Sequence, residues 1–142
     1  GHVLSRQNRL AESRQYFEQA LKIDPSREDI YGALSVVLDL QGNSEESISL
    51  LQRAVSKGIA GELTYMNLGN LFARKGDFTQ AIRSFEAIRR KSPGNSKALF
   101  ALGICHLKAG ELTKGRALLE QVVQLDPENT EARQVLRQLP ER

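Results

Sequence analysis

Cys105 and His106 bring together a thiol and an imidazole, the two groups that nucleophilic catalysis by cysteine requires. On a helix, however, adjacent side chains point about 100° apart, so the imidazole of His106 cannot take the Cys105 proton. Cys105 therefore reads as a small core filler, and His106 as an aromatic substitute packed between helices. His2 stands near the start of the chain, far in sequence from any partner ligand. With one cysteine there is no internal disulfide and no thiolate metal site, so packing alone must hold the fold. The stretch GNLFARKG lacks both the spacing and the Lys-Ser/Thr of a phosphate-binding loop. No carboxylate pair stands apart from ordinary helix surface. The residue types thus point away from an enzyme, and no cofactor, metal or small-molecule substrate is expected.

Composition narrows the class further. The chain of 142 residues is 40% hydrophobic and 26% charged, as in a folded globular protein. Lys and Arg number 20 against 17 Asp and Glu, a formal charge of +3 spread along the chain, well short of a nucleic-acid or membrane footprint. The longest apolar run, YGALSVVLDL, is too short to span a bilayer and contains Asp39. GHVLSRQNRL has no signal-peptide pattern, so a soluble, cytoplasmic protein is the default expectation.

The elements that would position any functional side chain come from a repeat. Gly42, Gly76 and Gly110 recur at a fixed interval, 34 (76−42 and 110−76), and Leu34, Leu68, Leu102 and Leu136 keep the same one. Phe17, Leu51, Phe85 and Leu119 hold this register too, with Ala20, Ala54, Ile88 and Val122 one turn on. Pro25, Pro93 and Pro127 share a further column, with Ile59 in its remaining slot. Each unit predicts two helices. Apolar residues at three- and four-residue steps before each glycine mark a first helix with one buried stripe, and the glycine suits the left-handed residue that ends it. Ser44 and Asp77 offer N-cap oxygens to the second helices, and Ser26 with Asp29 spells a capping box for the next first helix. Small residues recur in pairs 12 apart: Ser35 with Ser47, Gly69 with Ala81, Gly103 with Gly115, and Gly1 with Ser13. They predict close approach where the paired helices cross.

These residues resemble the tetratricopeptide repeat family. Glu62 to Asn95 carries Tyr65, Leu68-Gly69, Phe72, Gly76-Asp77, Ala81, Phe85, Ile88 and Pro93 at the family's spacings. The unit 96–129 departs at His106 and Gly115, and the unit 28–61 at Ser35, Ser47 and Ile59. The resemblance implies an all-α, right-handed α-solenoid of antiparallel helix pairs. It divides the chain into a partial leading repeat (1–27), three repeats (28–61, 62–95, 96–129) and a terminal capping helix or truncated repeat (130–142). Val3 to Gln7 are expected to end one helix and Leu10 to Ile23 to form the next, so that the chain reads as an excised piece of a longer array.

Stacked units of this kind share one apolar core, and in this family the first helices line a concave groove. The resemblance therefore implies a protein-interaction scaffold that binds a peptide or helical segment of a partner. Its groove stripe would hold Val36, Asp39, Met66, Asn67, Asn70, Arg74, Lys97, Phe100, Ile104 and Lys108, beside Asp29, Gly32 and Leu63. Chaperone-binding members clamp a terminal carboxylate with Lys, Asn and Arg at five slots. Here Asn67 and Lys97 fill two, whereas Gly32, Val36 and Ala101 occupy others, so no such clamp is expected. An RNA-binding helical-repeat module is the alternative suggested by Arg89, Arg90 and Lys91. Those cations fall in the last turn of a second helix, where they complement the helix dipole, and no aromatics interleave the groove stripe. Self-association through exposed repeat ends, giving a homo-oligomer, is a further expectation.

Overall fold

The described residues of the computed structural model, 2–140 with side chains from Leu4 to Pro140, form eight α-helices and no strand. They are α1 (His2–Ile23), α2 (Glu28–Leu40), α3 (Ser44–Ser56), α4 (Glu62–Lys75), α5 (Phe78–Lys91), α6 (Ser96–Lys108), α7 (Leu112–Leu125) and α8 (Thr130–Gln138). The helices group into two units, Gly1–Leu71 and Phe72–Arg142. In the first, α2 packs on α1 and α3; in the second, α6 packs on α5 and α7, and α8 on α7.

The glycine column ends the first helices. Gly42, Gly76 and Gly110 have φ of 84°, 88° and 86°, the left-handed conformation that a side chain would strain. The following amide then bonds back across the last turn: Asn43 N to Leu38 O at 2.8 Å, Asp77 N to Phe72 O at 2.9 Å and Glu111 N to His106 O at 2.8 Å. This is the Schellman arrangement, which satisfies carbonyls that the helix end leaves over. Gly58 repeats it at the end of α3, where φ is 75° and Ile59 N reaches Ala54 O at 3.1 Å. That left-handed turn stops the helix in the unit whose proline slot holds Ile59.

The repeat columns make the core. Leu34, Leu68 and Leu102 are all buried, as are Leu51, Phe85 and Leu119, and Ala54, Ile88 and Val122. In the first unit Tyr31, Leu34, Leu38, Leu50 and Ala54 form one cluster, with Phe17, Leu21 and Ile59 against it. The small pairs sit where the helices meet. Ser47 Oγ donates to Ser35 O at 2.7 Å, so the α2–α3 crossing is close enough for a direct side-chain bond to backbone. At the α6–α7 crossing, a Cβ on Gly115 would lie 3.0 Å from Gly103 O and 2.5 Å from Leu107 Cδ2. The pair Gly1–Ser13 falls outside the described residues, because Gly1 does.

Three local expectations are corrected. First, α1 runs unbroken from His2 to Ile23, with no end between Gln7 and Leu10. Asn8 stands in the slot that Gly42 fills one repeat later, and without the left-handed glycine the helix continues. Second, the N-cap of α3 is Asn43, whose side chain makes no cap bond, while Ser44 Oγ donates to Asp39 Oδ1 at 3.0 Å. Third, Ser26 forms no capping box. Its hydroxyl and amide both donate to Asp24 Oδ1, at 2.6 and 3.1 Å, and Asp29 pairs with Arg27.

Real caps occur in the slot of Arg27 two and three units on, and in the slot of Asn43 one unit on. Asn95 and Asn129 accept from Ala98 N and Ala132 N at 3.1 and 3.0 Å, and Asp77 from Gln80 N at 3.2 Å. The equivalent of Asn95 ahead of α4 is Gly61, which has no side chain to offer. Glu28 substitutes for it: one carboxylate oxygen accepts from Gly61 N and from the buried Thr64 hydroxyl, the latter at 3.0 Å. This contact ties the start of α2 to the start of α4.

Candidate partner-binding face

Side chains on one stripe of each first helix are the candidates for recognition. In the first unit, Val36 is 48% exposed, with Leu40 and Leu63 similarly accessible. Met66 and Asn67 are half-buried, and Asn70 is exposed. Gly32 is buried because α4 lies over it: a Cβ there would meet Leu63 Cδ2 at 2.7 Å and Asn67 Nδ2 at 3.6 Å. Asn67 is accordingly tethered, its Nδ2 donating to Ser35 Oγ at 3.4 Å, which leaves its carbonyl oxygen directed elsewhere. Asp39 is half-buried and accepts from Ser44, so it faces the α2–α3 turn more than its spacing on the stripe suggests.

In the second unit, Arg74 is exposed at the end of α4. Helix α6 presents Lys97, Phe100, Ile104 and Lys108 at steps of three and four residues, hence on one face. Both lysines are exposed, whereas Phe100 and Ile104 are half-buried. Neither lysine makes an ion pair or side-chain hydrogen bond among the described residues. Lys97 occupies the first turn, where the helix dipole favours anions and a cation costs about 0.3–1 kcal/mol. By contrast, α2 has Glu28 and Asp29 there, α4 has Glu62 and α8 has Glu131.

The Cys105–His106 pair faces inward instead. Cys105 is buried, and that burial pushes its thiol up from its ordinary value, against a smaller opposing effect of Lys108. A thiol so placed is a poor nucleophile. His106 Nδ1 stands 3.3 Å from Glu111 Oε1, and Glu111 also meets Lys114 Nζ at 3.1 Å. These contacts, Lys114 first and His106 second, hold the Glu111 carboxyl below its usual range. Among the described residues no group of three or more His, Cys, Asp or Glu is placed to hold a metal ion, and no helix is long and apolar enough to cross a membrane.

Each unit also carries a recess that spacing within a single helix does not point to. One, of about 390 Å³, lies among α1, α2 and α3, and the other, of about 350 Å³, among α5, α6 and α7. They are the same place in the repeat. Each residue lining the second recess has its counterpart two repeats earlier in the first: His106 answers Leu38, Arg89 answers Leu21, and Lys114 answers Glu46. The first is strapped by Arg14, which reaches Glu18 Oε1 at 2.8 Å and Glu46 Oε1 at 2.6 Å. In the second, Arg89 turns to Glu86 on its own helix, and Lys114 to Glu111. The repeat register, taken twice, was the signal that would have found them.

Comparison with known proteins agrees with this geometry. The family model described as Tetratricopeptide repeat matches residues 4–58 and 72–139. Protein CTR9 homolog of Arabidopsis thaliana is 22% identical over 118 residues, covering 82% of this chain and 11% of its own length. The chain spans between 11% and 14% of the length of the curated relatives it matches. Among solved structures, YrrB, described as a TPR protein with an unusual peptide-binding site, superposes with a TM-score of 0.77 at 22% identity, over 96% of this chain and 71% of YrrB. The first TPR of Spaghetti (RPAP3), solved with the HSP90 peptide SRMEEVD, gives 0.70 at 19% identity, over 76% and 86%. At such identities the structural likeness is one of fold. The family match, covering most of the residues, shows that this all-α repeat chain belongs to the tetratricopeptide repeat family.

Proposed function

We propose that the chain is a protein-interaction scaffold whose first helices hold a segment of a partner protein. The observation that carries this reading is the α6 stripe, where Phe100 and Ile104 stay accessible between two exposed lysines on a helix otherwise committed to the core. A family fold solved elsewhere with a bound peptide supports it. In the first unit Val36 and Met66 would bury apolar side chains of the partner, Asn70 and the Asn67 carbonyl oxygen would bond its backbone, and Asp39 would favour a cation. In the second, Phe100 and Ile104 take the apolar anchor, with Arg74, Lys97 and Lys108 meeting acidic groups. No chemical step is assigned to any residue.

A pull-down with this chain, repeated with Asn70→Ala and with Phe100→Ala, tests the reading. A partner captured by the wild type and lost or reduced in both variants is expected. Capture that is unchanged in both would overturn the assignment of this face. Titration with an acidic chaperone C-terminal peptide should show nothing tighter than high micromolar, since Gly32, Val36 and Ala101 replace clamp side chains. A gel shift with single-stranded RNA that persists at physiological salt would favour the nucleic-acid alternative.

A further inference from the structure

We infer that the α6 face takes an amphipathic helix whose apolar centre is flanked by two carboxylates about three turns apart. The inference rests on the partner-binding reading of this face and adds the chemistry and conformation of what binds it.

The positive charge is concentrated on α6 and its unit. α6 contains no carboxylate at all, and Lys97 and Lys108 bracket its accessible apolar side chains. Residues 1–71 hold seven Lys and Arg against nine Asp and Glu, while 72–142 hold thirteen against eight, so α6 lies in the basic unit. The helix two repeats earlier reverses the charge of the first slot and drops that of the last, where Leu40 stands for Lys108. α2 has Asp29 in the Lys97 slot, Gly32 in that of Phe100 and Val36 in that of Ile104, and it carries no basic residue. The first slot of the stripe thus carries opposite charge in two units, Asp29 in one and Lys97 in the other, which a purely structural role for the slot does not require. Lys97 is moreover placed against its own helix dipole, so its position serves something other than the stability of α6.

The conformation follows from spacing. Lys97 and Lys108 are eleven residues apart on the helix, which sets their backbones about 16 Å apart on one face. An antiparallel partner helix with Glu at positions j and j+11, and Leu at j+4 and j+8, presents the same stripe in reverse and meets both lysines and both apolar residues together. In an extended segment, residues on one side recur about 13 or 20 Å apart over four or six residues, a poorer match to the lysine spacing than the helix gives.

The test is a fluorescence-anisotropy titration of the full chain with a hydrocarbon-stapled helical peptide bearing that Glu/Leu pattern. Parallel arms use the peptide with Lys in place of both Glu and the protein variant Lys97→Glu/Lys108→Glu. Both substituted positions are exposed, so the variant is expected to fold, and thermal unfolding of Lys97→Glu alone is expected to shift upward because the dipole conflict is removed. The inference expects saturable binding of the Glu peptide that weakens at least tenfold in the charge-reversed protein and with rising salt. It also expects the reversed protein to gain the Lys peptide. Equal binding to wild type and reversed protein, or no saturation by the wild type, overturns it. So would a concentration-dependent dimer of the chain abolished by Lys97→Glu, since the occupant would then be a second copy. A pull-down partner lost with Phe100→Ala but indifferent to Lys97→Glu/Lys108→Glu would sink this inference while leaving the broader function standing.

Discussion

Gly115 has no room for a methyl group, and Gly94 has nothing within 4 Å of one. At Gly115 the obstruction is partly the Leu107 side chain, which can move, and partly the Gly103 carbonyl, which cannot. Gly115→Ala sets an overpacking cost of about 1–3 kcal/mol against a helix-propensity gain of about 1 kcal/mol. Urea unfolding should therefore show a net loss of about 1 kcal/mol, whereas Gly94→Ala should be neutral or slightly stabilising. Glu111 gives a residue-scale prediction of a different kind. Its carboxyl is held low by Lys114 and His106, so the stabilisation from those contacts is complete above the ordinary carboxylate value and is lost as pH falls through the lowered one. Melting temperatures of wild type and Glu111→Gln should differ near neutral pH and converge in acid. At this scale the sequence was legible where a residue type is forced, as at the small pairs. It was illegible where a side chain had a choice of partners: Ser44 looked like a cap but turns to Asp39, and the bond from Asn67 Nδ2 to Ser35 Oγ has no signature in the spacing.

Helices α2, α3, α4 and α6 are ended by glycine, whereas the helices are begun in several different ways. Asn95 and Asn129 cap α6 and α8 directly, and replacing either with Ala should cost about 1 kcal/mol, measurable by thermal or denaturant unfolding. Glu28→Ala should cost about 1–3 kcal/mol, because it leaves the Thr64 hydroxyl buried without its acceptor and the Gly61 amide without its cap. The identity and order of the helices could be read from the repeat columns, since burial of Leu34, Leu68 and Leu102 depends on periodicity alone. The starts were harder, because a cap depends on a rotamer rather than a period. In one slot the chain offers Arg27, Gly61, Asn95 and Asn129, and only the two asparagines cap; at Gly61 the oxygen comes from a residue 33 positions away.

Across the described residues, the start of α1 stands apart from the repeat core. Leu4 to Arg9 of α1 are all exposed, while Leu51, Phe85 and Leu119 are inaccessible. Hydrogen exchange should accordingly be fastest in the first turns of α1 and slowest around those three residues, since opening follows the loss of packed neighbours. Uniform protection from one end of α1 to the other would contradict that gradient. The recess that recurs two repeats on carries one more consequence. The backbone keeps its dent while the lining is rewritten, with Leu21, Leu38 and Glu46 in one copy and Arg89, His106 and Lys114 in the other. The dent is therefore a cassette: transplanting the trio from one copy to the other is a three-letter edit, and evolution or a protein engineer can retune each hollow without redrafting the scaffold that holds it.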